Sequence, residues 1–331
     1  MAQTIEASAA KFRTSFSSLK SEIGKVIVGH EGVVQDVLIC LFAGGHVLLE
    51  GVPGLGKTML VSTLSQTLHL RFSRIQFTPD LMPADIIGTN VVVENERGQK
   101  FVEFQKGPLF ANIILADEIN RATPKTQSAL LEAMQERSVT VGGVRHDLEA
   151  PFFVLATQNP IEMEGTYPLP EAQLDRFFFK LKIQYPKMGE AMEILRRTTQ
   201  REMPQAGHVL DAQGVRELSL ILRDIPVATH VQEYALKVLY GTHPTSPHAT
   251  EMTKRFVKYG ASPRGAQAMV LAGKALAILD NRFNVSEHDI RQAALPSLRH
   301  RIILNFEGEA EGMDTDAIIN DVIRHIQAGK Q

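Results

Sequence analysis

A glycine-rich segment that follows an apolar run constrains the fold of this chain more than any other feature. The segment reads Gly51, Val52, Pro53, Gly54, Leu55, Gly56, Lys57 and Thr58, and the run before it spans 46–49. It fits the eight-position loop that binds phosphate, because glycines let backbone N–H groups approach phosphate oxygens. An amphipathic pattern from Thr58 to Leu68 supplies the helix that such a loop requires. The sequence therefore predicts a nucleotide site, in which Lys57 contacts the β and γ phosphates and the Thr58 hydroxyl holds Mg²⁺.

An acidic pair follows a second apolar run about sixty residues later. The run spans 113–116 and ends in Asp117 and Glu118. A buried central strand of a parallel sheet delivers acids to a ligand site in this way. We expect Asp117 to contact Mg²⁺ through its water shell, and Glu118 to orient or deprotonate the water that attacks the γ phosphate.

Length and composition bound the class of protein. A chain of 331 residues exceeds one ordinary core and is expected to form two domains. Its net charge of −2 provides no global field that would draw it onto nucleic acid or a membrane. The longest apolar run, 37–49, is too short for a span of about 20 residues, so no transmembrane segment is expected. The single cysteine, Cys40, is expected to be a small buried hydrophobe. With no signal peptide pattern at the N-terminus, we expect a cytoplasmic protein.

The order of patterns predicts an α/β core followed by a helical domain. Two helices are expected within 12–42, and extended apolar segments occupy 46–50, 72–77, 113–116, 152–157 and 177–183. Strands that alternate with helices favour a parallel sheet, here of five strands, with covered faces. Helical patterns alone dominate from 190 to 326. We predict a nucleotide-binding core over 1–186 and an all-α domain over 187–331.

Two hairpins are predicted as insertions in this core. The first joins 90–94 to 100–104, and the second joins 138–141 to 144–146 across Gly142 and Gly143. Two adjacent glycines between alternating residues favour a tight primed turn. Each hairpin either contacts a partner or covers a sheet edge, and we favour contact.

Several motifs together resemble one family. Besides the phosphate loop, they are the segments 117–122 (Asp-Glu-Ile-Asn-Arg-Ala), 156–160 (Ala-Thr-Gln-Asn-Pro), 170–177 (Pro-Glu-Ala-Gln-Leu-Asp-Arg-Phe) and 262–265 (Ser-Pro-Arg-Gly). With these, essentially the whole chain resembles the MoxR family of AAA+ ATPases. The resemblance implies an AAA+ core with hairpin insertions and a C-terminal helical lid.

The resemblance also implies further site residues. Asn159 is similar to the sensor 1 residue, which helps to position the attacking water. Arg176 is similar to an arginine finger that reaches into the neighbouring subunit's site, with Arg121 as the competing candidate for that role. Arg264 resembles the sensor 2 residue of the lid. A cation in the first turn of a helix opposes the helix dipole, so an anionic partner for Arg264 is also expected. The nucleotide-binding set consists of Gly51, Pro53, Gly54, Leu55, Gly56, Lys57, Thr58 and Met59, with Val28 and Gly29 at the adenine.

We therefore expect an ATPase that uses ATP/ADP and Mg²⁺ and assembles into a hexameric ring. The resemblance implies chaperone-like remodelling of a partner complex, alongside a protein with a von Willebrand factor A domain. Two alternatives stay open at this point: the ATPase subunit of a magnesium chelatase, and a nucleic-acid-dependent motor. The hairpins carry few cations for the second alternative, since Arg97, Lys100 and Arg145 are the nearby candidates.

Overall fold

The computed structural model describes residues 2–52, 54–160, 165–202 and 204–329. The strands in these ranges are β1 (Val47–Glu50), β2 (Phe72–Gln76), β3 (Gly88–Glu94), β4 (Lys100–Lys106), β5 (Ile113–Asp117), β6 (Ser138–Val141), β7 (Val144–Asp147), β8 (Phe153–Gln158), β9 (Phe179–Lys182), β10 (Val257–Tyr259) and β11 (Ile303–Leu304). The helices are α1 (Ala2–Val26), α2 (Glu31–Ala43), α3 (Lys57–Thr67), α4 (Pro83–Ile87), α5 (Pro124–Glu136), α6 (Glu171–Leu174), α7 (Met188–Thr198), α8 (Ala212–Asp224), α9 (Thr229–Gly241), α10 (Glu251–Phe256), α11 (Pro263–Leu279), α12 (Glu287–Leu298), α13 (Phe306–Ala310) and α14 (Thr315–Ala328).

Five parallel strands form the central sheet of the described chain, in the spatial order β2, β5, β8, β1, β9. The middle strands are mostly buried and apolar and end in polar residues, because helices cover both faces of the sheet. The register pairs Gln76 with Asp117 and Glu50 with Gln158. The predicted parallel sheet is confirmed, and its carboxyl edge brings the glycine-rich loop and the acidic pair to the same side.

Both predicted hairpins are present as separate two-stranded sheets, β3 with β4 and β6 with β7. Gly142 and Gly143 have φ angles of 58° and 80°, as a type I′ turn requires. The ring of Phe104 stacks on the ring of His146 with 4.0 Å between centroids. The two hairpins therefore contact each other and stand together outside the central sheet.

The segments on either side of the sheet are helical, as predicted. Before it, α1 and α2 are joined by Gly29 and His30, both in the left-handed region. After it come α7 to α14, where Ser262 and Ser286 cap α11 and α12. Each serine side chain accepts a hydrogen bond from a backbone N–H in the first turn of its helix.

The expectation of a purely helical second domain is wrong in one detail. Strands β10 and β11 pair antiparallel, with Val257 opposite Leu304 and Tyr259 opposite Ile303. They connect helices, and their pairing satisfies backbone N–H and C=O groups that neighbouring helices cannot. Strands of three and two residues are too short to show an alternating pattern, so the sequence did not reveal them.

Two hydrophobic clusters of the described residues lie on opposite faces of the sheet. Along β1, Val47 and Leu49 belong to the first cluster and Leu48 to the second, as strand alternation requires. The first cluster continues through Phe12 of α1 and into the second helical region at Met269 of α11. Apolar core therefore lies on both sides of residue 186, and the predicted division at that residue stays a prediction.

Candidate active site

A cavity of about 960 Å³ lies at the carboxyl edge of the sheet, where the glycine-rich loop meets β2 and β5. Its lining includes Gly54, Gly56, Lys57, Thr58, Met59, Arg74, Gln76, Asp117 and Glu118. The cavity thus brings together five of the predicted nucleotide-binding residues with Asp117 and Glu118. Its size is within the range of small-molecule sites.

The glycine-rich loop takes a backbone shape that side chains disfavour. Gly54 and Gly56 have φ angles of 83° and 75°, and Gly56 precedes the first residue of α3. These conformations are accessible to glycine at no steric cost. Pro53, which belongs to the predicted loop, lies outside the described residues. Gly51 directly follows β1, and its backbone N–H donates to the Gln158 carbonyl at 3.3 Å.

Lys57 stands at the N-terminus of α3 with 9% of its surface exposed. Its Nζ donates a hydrogen bond to the Gly51 carbonyl at 2.8 Å, which holds the side chain along the loop. Burial lowers the pKa of Lys57, and the charges of Asp117 and Glu118 oppose that shift. A cation held by one carbonyl beside a helix N-terminus is suited to a phosphate ligand.

Thr157 of β8 ties the two acidic residues together. Its Oγ1 donates to Asp117 Oδ1 at 2.7 Å and accepts from the backbone N–H of Glu118 at 2.8 Å. Thr157 is fully buried. Glu118 has φ 57°, an uncommon value for a residue with a side chain. The hydroxyl therefore supports a strained turn that aims both carboxylates at the cavity.

The Glu118 carboxylate is engaged within the chain. Gln76 Nε2 donates to its Oε2 at 2.9 Å, and Arg121 Nη1 lies 3.0 Å from the same oxygen. Arg121, the competing candidate for a role in a neighbouring site, thus contacts the acid of its own chain. Both contacts are made to Oε2, so they position the carboxylate while its Oε1 can still accept a hydrogen bond from water.

The oxygen donors around Asp117 suit a hard divalent cation. Asp117 and Thr58 line one cavity and offer a carboxylate and a hydroxyl, the ligand types that Mg²⁺ prefers. The guanidinium of Arg74 lies 2.7 Å from Asp117 Oδ2, so this carboxylate already attracts a cation. The residues present fit the predicted metal.

A smaller apolar cavity of about 260 Å³ adjoins the loop. Val28, Leu55 and Met59 line it, which fits the flat apolar face of an adenine ring. Gly29 lines a neighbouring cavity with Lys20 instead. The structure therefore brings Val28 to the loop more directly than Gly29.

Asn159 directly follows β8, two residues after Thr157. It is 6% exposed and lies at the same sheet edge as the acidic pair. This position suits the predicted contact with an attacking water, since an amide offers both a donor and an acceptor.

Arg176 and Arg264 line a different cavity of about 270 Å³, which shares no lining residue with the cavity at the phosphate loop. Arg176 Nη1 donates to the Leu131 carbonyl at 2.8 Å. Arg264 Nη1 lies 3.3 Å from Asp175 Oδ2, and this carboxylate is the anionic partner expected for a cation in the first turn of α11. The structure thus groups the two predicted arginines together, away from Lys57.

Comparisons with known proteins agree with this fold. Residues 46–179 match the model of the ATPase family associated with various cellular activities (AAA), and residues 249–322 match an AAA lid domain. Chaperone MoxR1 of Mycobacterium tuberculosis is 41% identical over 305 residues, which cover 92% of this chain and 80% of that protein. Protein MoxR of Methylorubrum extorquens is 30% identical, over 95% of this chain and 94% of its own. The chain belongs to the MoxR family of AAA+ ATPases.

A solved structure extends the agreement to three dimensions. A crystal structure from Cytophaga hutchinsonii, which carries the name of a proposed ATPase, aligns with a TM-score of 0.90 and 41% identity. The alignment covers 98% of this chain and 97% of that one. The resemblance seen in the motifs, and the AAA+ core with a helical lid, are therefore confirmed for this MoxR-family chain.

Several polar residues of the candidate site were not predicted from the sequence. Arg74 and Gln76 contact the acidic pair from β2, and Thr157 links its two members. Arg74 and Gln76 both lie in the extended segment predicted at 72–77, but the sequence did not indicate that this strand pairs with the one that carries the acidic pair. Over the parts of the chain that the structure describes, no helix is both long and apolar enough to cross a membrane.

Proposed function

We propose that the chain is a Mg²⁺-dependent ATPase whose active site forms between subunits of a hexameric ring. The observation that carries this proposal is the shared cavity of Lys57, Asp117 and Glu118, with both acids tied to one buried threonine. A P-loop ATPase needs a cation that binds phosphate, a carboxylate that holds the metal and a base that acts on water. Candidates for all three lie together at one helix N-terminus.

Each residue of the candidate site has a defined task in this reaction. Lys57 and the backbone of the loop bind the β and γ phosphates of ATP, while the apolar cavity at Val28 takes the adenine. Thr58 and Asp117 hold Mg²⁺, which supplies charge neutralisation at the phosphate oxygens. Glu118 orients or deprotonates the attacking water, and Asn159 holds that water on its other side. ADP and phosphate are the products.

The separation of the arginines supports a site built from two subunits. Arg176 and Arg264 line a cavity apart from the phosphate loop, so neither is placed to serve its own chain's ATP in this structure. A second copy that presented this face to the loop would bring both cations to the γ phosphate. Such a cation contributes about 10³-fold or more to the rate.

We propose that the output of hydrolysis is remodelling of a partner protein complex. Relatives that bear the names MoxR and chaperone support this assignment. The paired hairpins offer a contact surface, because Val92, Phe101, Val102 and Val144 are apolar and exposed there. The partner expected is a protein with a von Willebrand factor A domain.

Comparison of the variants Glu118→Gln and Lys57→Ala separates catalysis from nucleotide binding. Glu118→Gln should bind ATP with wild-type affinity and hydrolyse it far more slowly, since the amide cannot accept the proton. Lys57→Ala should lose nucleotide affinity itself. Titration with a fluorescent ATP analogue and phosphate release measure the two effects. Near wild-type turnover by Glu118→Gln would remove that residue from the mechanism.

Affinity capture tests the proposal that hydrolysis remodels a partner protein complex. Glu118→Gln loaded with Mg·ATP would be compared with the ADP-bound protein in native cell extract. Retention of a protein with a von Willebrand factor A domain by the ATP form alone supports remodelling. Retention of chelatase subunits, or of DNA that nuclease removes, would contradict it and identify the alternative.

A further inference from the structure

The carboxylate of Asp175 joins three groups of the lid. Its Oδ1 accepts hydrogen bonds from Arg301 Nε at 2.9 Å and from Ser262 Oγ at 2.6 Å. Its Oδ2 accepts from Arg264 Nη1 at 3.3 Å. Asp175 also directly precedes Arg176 in the chain. Asp175 therefore links Arg264, which its carboxylate contacts, to Arg176, the next residue of the chain.

Arg301 fixes the backbone on both sides of Arg176. Its Nη2 donates to the backbone carbonyls of Asp175 at 3.1 Å and Phe177 at 2.7 Å. Its Nη1 donates to the backbone carbonyl of Phe178 at 3.3 Å. The Arg301 side chain is 2% exposed. Burial lowers the pKa of Arg301 to about 10, and Asp175 opposes this shift, so the group stays charged at neutral pH. A buried guanidinium with this many acceptors orders the segment that it contacts.

Arg301 and Arg264 differ in how firmly they are held. Arg301 is buried, whereas the side chain of Arg264 is 47% exposed and its bond to Asp175 is the longest of the three. Arg264 also sits in the first turn of α11, where the helix dipole disfavours a cation. Asp175 offsets that unfavourable position while leaving Arg264 accessible to another anion.

We propose that Asp175 is a positioning residue that holds Arg264 beside Arg176, so that one subunit presents both cations together to the γ phosphate bound by its neighbour. The inference rests on the proposed two-subunit site. Arg301 and Ser262 keep the carboxylate fixed, and Arg264 exchanges it for phosphate when a neighbour's ATP arrives. Lid and core then deliver their arginines as one unit.

Asp175→Asn is the test, because asparagine keeps the size of the side chain and removes its charge. Asp316→Asn is the matched control. Asp316 has the same 19% side-chain exposure, accepts from Arg299 Nε at 2.9 Å, and also ties the lid to the core through Lys182. Its ion pairs are with Arg299 and Lys182 rather than with Arg176 or Arg264. Both variants should lose comparable thermal stability.

The expected kinetic result separates positioning from stability. Asp175→Asn should lower kcat about 10- to 100-fold, as small misplacements of catalytic groups do, and leave affinity for a fluorescent ADP analogue unchanged. Asp316→Asn should keep wild-type kcat. Equal losses of kcat in the two variants would overturn the proposal, since a general weakening of the lid would then explain them.

Mixed rings locate the defect. Asp175→Asn subunits should regain activity when mixed with Lys57→Ala subunits, because an intact loop then faces intact arginines at some interfaces. Mixed with Arg176→Ala subunits they should not, because both defects lie on the same side of the interface. Recovery of activity in the mixture of Asp175→Asn with Arg176→Ala would refute the role of Asp175. So would a failure of Asp175→Asn to recover with Lys57→Ala, if Arg176→Ala does recover with Lys57→Ala. If Arg176→Ala and Lys57→Ala also fail to complement, in rings shown to be mixed, the two-subunit site itself is refuted.

Discussion

Replacement of Thr157 by valine removes one buried hydroxyl and leaves the shape of the side chain nearly unchanged. Two contacts are lost: the hydrogen bond donated to Asp117 at 2.7 Å and the one accepted from the Glu118 N–H at 2.8 Å. Hydrogen bonds to charged groups contribute about 1.5–3 kcal/mol and neutral ones about 0.5–1.5 kcal/mol. The free energy of unfolding should therefore fall by about 2–4 kcal/mol.

The larger effect should be on turnover. Without the hydroxyl, the backbone N–H of Glu118 loses its hydrogen bond within the strained turn, where φ is 57°. Both carboxylates should then move, and a displacement of about 1 Å at a catalytic group lowers the rate by about 10²-fold. Affinity for nucleotide should change much less, because Thr157 bonds to the acidic pair, whereas Lys57 is held by the Gly51 carbonyl.

Thr242→Val provides the control. Thr242 is also fully buried, donates to the Leu239 carbonyl at 2.6 Å and accepts from the Ala261 N–H at 3.0 Å, but it lies at the end of α9 in the lid. Urea denaturation and single-turnover ATP hydrolysis would be measured for both variants. Similar losses of stability with a selective loss of turnover in Thr157→Val are expected. Wild-type turnover by Thr157→Val would show that the carboxylates do not depend on this hydroxyl.

Two further predictions concern stability. Burial lowers the pKa of His46 to about 4, and the neutral ring accepts from the Val154 N–H at 3.0 Å. Its contribution is complete above the unfolded pKa of about 6.5 and is lost as pH falls towards 4, so about 2 kcal/mol should disappear between pH 7 and pH 5. Denaturation across this range should give a flatter profile for His46→Asn, and parallel profiles would contradict the assignment. Asp289→Asn should lower stability by about 2 kcal/mol, because Asp289 is buried and accepts from Arg282 at 2.5 and 2.8 Å. In thermal unfolding, Asp280→Asn is the control, since Asp280 contacts the same guanidinium but is 59% exposed, and equal losses would argue against a role for burial.

Local patterns were sufficient for most of the fold. In the central sheet, β1, β5 and β8 are short apolar runs that end in polar residues, and the turn at Gly142 and Gly143 has a strong chemical signature. Strands β10 and β11 carry no such signature, because their pairing depends on where the lid helices end. Residues near in space but far apart in sequence leave little trace in a single chain.

The same limit applies to the site. Lys57, Asp117 and Glu118 were predicted because their spacing from strands and glycines is itself the signal. Arg301 was not, because it lies 126 residues from Asp175 and only the packing of α12 brings it there. Asp175 was seen only as a neighbour of Arg176, and its three hydrogen bonds appear when the lid is placed on the core.

The apolar cluster that runs from α1 through one face of the sheet into the lid has a consequence for how the protein denatures. Phe12 and Phe16 pack against Phe42 beneath the sheet, and Met269 of the lid belongs to the same buried group. Neither half of the chain can lose its structure without exposing this group to water. A calorimeter should record a single cooperative transition, and a fragment cut at residue 186 should aggregate rather than persist as an independent lid.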